Sequence, residues 1–149
     1  MKDPYLLQRF VEAQAPVFEQ VRAELQAGCK RSHWMWFIFP QVAGLGRSET
    51  ARRFAISSLD EAAAYLRHPI LGPRLRQCTA LVNSIDADDI AGIFGAPDDL
   101  KFHSSMTLFG IAAHDAQDVD LFAAAISKYF DGEPDCGTLA RLKTGSTIC

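Results

Sequence analysis

Seven bulky residues stand in an unbroken row at positions 33–39 (HWMWFIF), between the basic pair Lys30-Arg31 and the turn Gly44-Leu45-Gly46-Arg47-Ser48. Burying apolar surface yields roughly 25 cal/mol per Å², so the rest of the chain has to fold around this row. A strand here would need a ladder partner, and the remainder of the sequence reads in helical period. We therefore expect a short buried helix that stops before Pro40, because proline disfavours helix in the residue preceding it.

Helix signals run along the whole chain. Asp3-Pro4 is a cap followed by a first-turn proline, with Leu6, Phe10 and Ala13 on the face behind it. Pro16 restarts a helix carrying Val17, Phe18, Val21 and Leu25, with Gly28 as its stop. Ser48 caps a short TARRFA helix, and Ser58 with Glu61 forms a capping box ahead of Leu59, Ala62, Ala63 and Leu66. His68-Pro69 breaks that helix, and Leu71, Leu75, Cys78 and Val82 line the next. Asp86 is expected to cap a turn through Ile90, Ile93 and Phe94 that ends at Gly95. Pro97-Asp98-Asp99 opens a helix with Phe102, Met106 and Phe109 in line. Asp118 precedes another with Val119, Phe122, Ile126, Tyr129 and Phe130, closed by Gly132. A last turn covers 138–142, and the tail KTGSTIC is expected to fray. The fold class is all-α: one compact domain of about seven or eight short helices with irregular turns, its ordered core spanning about 3–142.

With 149 residues, 48% of them hydrophobic, the chain can bury a core without covalent staples. Its four cysteines (Cys29, Cys78, Cys136, Cys149) are widely spaced and expected to be reduced thiols. The N-terminus lacks an export-signal pattern, and the chain lacks an apolar run of membrane-spanning length. A cytoplasmic location and no membrane partner are the expectation. The net charge of −3 hides an asymmetry, since residues 30–76 hold eight Lys/Arg against three acids while 86–135 are strongly acidic. The two halves either neutralise one another or leave a basic face for phosphate or carboxylate ligands. The acidic total argues against nucleic acid as a partner.

Three segments carry candidate chemistry. Gly44 and Gly46 can aim backbone N–H groups into one concavity, where Arg47 and Ser48 add donors; the same residues also make an ordinary turn and helix cap. His33, between Lys30 and the tryptophans Trp34 and Trp36, is a candidate acid or base, or a core histidine satisfied by a carbonyl. The indole N–H groups need partners, which favours a pocket edge. Lys101 with Ser104 and Ser105 falls on the helix side opposite the Phe102 stripe, suited to ligand binding or to helix packing, with a Ser–Lys nucleophile the least supported reading. Arg74 offers a second anion contact and Asp99 an alternative general base. The histidines are too scattered for a metal site, so no metal and no cofactor are expected.

The segments HWMWFIFPQ, GLGRS, YLRHPILGPRL, IFGAPDDLKFHSSMTLF and YFDGEPDCGTL resemble the bacterial family of domain of unknown function 1810 over roughly residues 3–142. The resemblance implies a small, mainly helical domain and no established activity. Some members carry an automatic calpastatin label, which fits poorly with a folded-core composition. A fainter likeness is to small helical proteins of ADP-ribose and N-glycoside metabolism, whose pockets need carboxylates; here Glu49 and Asp99 are weak matches. The first functional expectation is a small-molecule-binding domain, or a hydrolase, for a phosphate-bearing, nucleotide-like ligand. The second is a non-catalytic interaction module that uses its basic 47–76 region for a protein partner or a second copy. The third is an ADP-ribose or N-glycoside hydrolase.

Overall fold

The computed structural model describes residues 3–87 and 89–142, and among these the chain is mostly helical, with no strand beyond an isolated bridge. In order the elements are α1 (Gln8–Gln14), α2 (Phe18–Gln26), α3 (Met35–Ile38), α4 (Glu49–Arg53), α5 (Leu59–Arg67), α6 (Leu71–Asn83), α7 (Ile90–Phe94), α8 (Asp98–Ala112), α9 (Ala116–Phe130) and α10 (Cys136–Leu142). All-α therefore holds, with ten helices among the described residues against the seven or eight expected. The excess comes from segments expected only as turns, α7 and α10, which are short helices too brief to persist without tertiary contacts. The tail KTGSTIC lies outside the described residues.

Helix α8 is the centre, packed by α3, α5, α7, α9 and α10. Phe102, Met106, Leu108 and Phe109 are buried around it, and so are Ser104, Ser105 and Thr107. With five helices packed on it, α8 is buried over most of its circumference between Phe102 and Phe109 and loses the one-faced pattern of a surface helix. The expected separation of an apolar Phe102 stripe from a polar Ser104–Ser105 side is accordingly corrected: both sides are inside. Thr107 Oγ1 donates to the His103 carbonyl at 2.9 Å, which satisfies a buried hydroxyl within its own helix.

Several helix starts differ from expectation. Asp3 does cap, accepting from Leu7 N (2.8 Å) and Gln8 N (3.0 Å), but α1 begins after it. Leu6 takes φ +54° and is 68% exposed, so it leaves the face assigned to it. Asp89 replaces Asp86 as the cap of α7, accepting from Ala91 N. Helix α9 starts earlier than expected, with Asp115 as its cap, so Asp118 lies in its first turn, where it accepts from Arg76 at 2.7 Å and 3.0 Å. Ser48 and Ser58 cap α4 and α5 as read, accepting from Ala51 N and Glu61 N. Cys29 and Cys78 are free thiols. Cys136 is disulfide-bonded, which corrects the expectation of reduced thiols; spacing alone does not reveal which cysteines pair. Cys149 lies outside the described residues.

Candidate functional site: a two-lysine cleft between tryptophans

The bulky row does not bury evenly. Trp34, Met35, Ile38 and Phe39 enter the core, Trp36 and Phe37 are half-buried, and His33 is exposed. The segment is fixed by Glu24 of α2, a carboxylate only 8% exposed. It accepts from Arg31 N (2.8 Å), Ser32 N (3.1 Å), the Ser32 hydroxyl and Trp34 Nε1 (2.9 Å). Burial is the largest single influence on this carboxyl and opposes its ionisation. The donors, led by the Ser32 hydroxyl, together outweigh burial and hold its pKa down to about 2. Trp34 is thus sealed in the core at 1% exposure, contrary to the expectation of a pocket edge for both indoles. Trp36 is the one that reaches the edge.

Lys30 continues from this anchor, its N–H donating to the Ile93 carbonyl of α7 at 2.8 Å. Its ammonium lies 2.8 Å from Asp98 Oδ2 in the first turn of α8, with the side chain only 7% exposed. Lys101, one turn along α8, reaches the other oxygen of Asp98 at 3.1 Å. Its Nζ stands 3.8 Å from the Trp36 ring centre, while Lys30 Nζ is 5.2 Å from that of Trp34. Burial would raise the Asp98 pKa, but hydrogen bonds and charge from Lys30 and Lys101 lower it, so the group is ionised. Two ammonium groups against one carboxylate leave an excess positive charge in a cleft of about 90 Å³ lined by Lys30, His33, Trp34, Trp36, Asp98 and Lys101.

Trp36 also walls a second cavity of about 110 Å³, whose other sides include Gln41, Val42, Gly44, Gly46, Ala51 and Phe54. Its rim is pinned by Ala43 N to Ile56 O (2.8 Å) and Ile56 N to Gln41 O (2.9 Å), a parallel bridge between Val42 and Ile56. Gly46 has to be small here: a Cβ on it would come within 2.6 Å of Ala51 Cβ and 3.4 Å of the Trp36 ring.

The structure thus brings Lys30, His33, Trp34, Trp36 and Lys101 to one cleft and Gly44 and Gly46 to its neighbour. The remaining candidates lie elsewhere. Arg47 is exposed, and its carbonyl accepts from Arg52. The Ser48 hydroxyl oxygen is occupied as the cap of α4. Arg74 packs on Phe18 at 4.9 Å with Gln14 Oε1 at 3.3 Å, between α1 and α2. Ser104 is within 3.0 Å of Asp135 and Ser105 is fully buried. Asp99 accepts from Leu100 N, and it is Asp98, noted in the sequence only as part of a helix opening, that lines the cleft. Glu24 was also missed, although its spacing from Val21 places a charge on the apolar face of α2. Gln41 carried no signal. Among the described residues no three His, Cys, Asp or Glu side chains are grouped to hold a metal ion.

A family model described as protein of unknown function (DUF1810) matches residues 4–142. The chain belongs to this family. Among solved structures, this DUF1810 protein is similar to the conserved hypothetical protein Rv1873 from Mycobacterium tuberculosis. The two share 56% identity at a TM-score of 0.90, over 95% of this chain and 99% of that one. No curated protein matches this DUF1810 chain. None of its described helices is long and apolar enough to cross a membrane.

Proposed function

We propose that this protein binds a small phosphate-bearing molecule at the Lys30–Lys101 cleft, with Trp36 against its ring. One observation carries the reading. Lys30 and Lys101 converge on a single carboxylate beside two indoles, so the cleft retains positive charge where its surroundings are partly dry and attraction for an anion is strengthened. An incoming phosphate takes over ammonium protons that water or Asp98 otherwise accepts. His33, exposed at the rim, adds a further ring N–H donor. Asp98 is a counter-charge here and not a base, because both its oxygens are engaged by lysines.

Thermal shift with inorganic pyrophosphate and with UMP tests the reading. At ligand 100-fold above Kd, mass action adds about 2.7 kcal/mol, roughly 5–10 °C in Tm for a domain of this size. Lys101→Met should abolish most of the shift. Unchanged melting with both ligands across the millimolar range rejects the cleft as a phosphate site. The second reading, a docking surface for an acidic protein, is favoured by the exposure of Arg47, Arg52 and Arg53 around α4. It predicts salt-sensitive complex formation that Arg52→Glu disrupts and Lys101→Met does not.

A further inference from the structure

Buried polar groups in folded proteins almost always have hydrogen-bond partners. Among the residues that line the cavity on the Gly46 side of Trp36 there is an exception: the Gln41 side-chain amide nitrogen is shielded from solvent and meets no acceptor. The rest of the lining is mainly apolar, with Val42, Ala43, Ala51, Phe54 and Ala55 beside the Trp36 indole, and Arg52 is its one charged member.

The geometry also keeps the space open. The main chain at 41–43 is tied to Ile56 by two hydrogen bonds, so Gln41 cannot drift without breaking the bridge. Gly46 passes against Ala51 and the Trp36 ring with no room for a methyl group. A flat indole wall, mainly apolar sides and one buried N–H donor suit a planar heteroaromatic ring, giving stacking for its face and one hydrogen bond for an acceptor on its edge, with Arg52 as a charged neighbour.

We infer that this cavity is a ring subsite, in which Gln41 Nε2 donates to an edge acceptor (a carbonyl oxygen or ring nitrogen) of a nucleobase-like ring. The inference rests on the phosphate reading of the neighbouring cleft and extends it. Trp36, shared by both cavities, then divides the ligand into a ring half and a phosphate half. Gln41 is a specificity-determining residue in this scheme, selecting rings with an edge acceptor over plain aromatic ones.

Titration calorimetry with UMP, phenyl phosphate and inorganic pyrophosphate separates the two ideas, with side-chain amide NMR on added uridine as a phosphate-free readout. UMP should bind about tenfold more tightly than phenyl phosphate. Gln41→Leu should erase that preference while leaving pyrophosphate affinity within twofold. Gln41→Glu, which puts an acceptor where a donor stood, should weaken UMP further. Uridine should move the Gln41 amide resonances in the wild-type protein. If pyrophosphate binds but UMP and phenyl phosphate bind alike, or Gln41→Leu leaves the preference intact, the ring subsite is overturned and the phosphate cleft stands. If pyrophosphate itself fails to bind while uridine shifts the Gln41 resonances, the cleft reading falls and the ring subsite survives alone. A protein that responds to none of the three ligands and not to uridine overturns both.

Discussion

The ammonium of Lys101 lies 3.8 Å from the centre of the Trp36 ring while holding Asp98 at 3.1 Å. A cation shared between an indole face and a carboxylate fixes both the direction of the lysine and the tilt of the ring. It also makes Trp36 a reporter for whatever enters the cleft.

Lys101→Met should therefore shift and change the intensity of tryptophan fluorescence. The partly exposed cation–π and ion-pair contacts together contribute about 1 kcal/mol, so the cost in urea denaturation should be of that order. Trp36→Phe should remove most of the fluorescence difference between Lys101→Met and its parent, because the Lys101 ammonium stands over Trp36 while it is Lys30 that stands over Trp34.

Glu24 ties α2 to the segment that carries Lys30 and both tryptophans. Glu24→Ala leaves Arg31 N, Ser32 N and Trp34 Nε1 without their acceptor and should cost about 2–4 kcal/mol, measured by denaturant unfolding. Its pKa is held at about 2, below the ordinary 4.5. The folded state thus binds its proton less readily than the unfolded chain. The resulting stabilisation, about 3 kcal/mol at most, is complete above pH 4.5 and is lost as pH falls toward 2. The stability–pH profile of Glu24→Gln should lack this acid limb; an unchanged limb would show that other carboxylates produce it.

Two glycines should respond oppositely to the same substitution. Gly46→Ala forces a Cβ to 2.6 Å from Ala51 Cβ and should lose about 1–3 kcal/mol by overpacking. Gly110, inside α8, has its nearest obstacle at an ordinary 3.6 Å from Phe122 Cβ. Gly110→Ala should be neutral or gain up to about 1 kcal/mol from helix propensity. Chemical denaturation of both variants checks the contrast.

The two free thiols should differ in reactivity. Cys78 is fully buried, and burial pushes its pKa up to about 12. Iodoacetamide at pH 8 should modify half-buried Cys29 first and reach Cys78 only as fast as the protein opens, read by peptide mass spectrometry. Labelling of Cys78 on the timescale of Cys29 would contradict the packing of α6.

Much of the helical order can be read locally. Ser48 and Ser58 announce α4 and α5, Pro40 ends the row behind α3, and Phe102, Met106 and Phe109 mark the inner side of α8. Local reading fails where a side chain answers to a distant partner. Asp118 reads as the residue before a helix and instead sits in the first turn of α9, bound by Arg76, forty-two positions away. Ser104 and Ser105 look solvent-facing only if α8 has one dry side, and five helices surround it.

The same division runs through the candidate site. The residue types of the cleft stand out in sequence, because Lys30, His33, Trp34, Trp36 and Lys101 sit in unusual local company. Their partners do not: Glu24, Gln41 and Asp98 have ordinary neighbours and gain meaning only across the fold. Helical period, caps and breaks depend on residues within one or two turns, so the chain's order of elements is written along it. The cleft depends on which charges the packing of α2, α7 and α8 forces together, and that pairing of Lys30 and Lys101 on one carboxylate is a property of three dimensions alone.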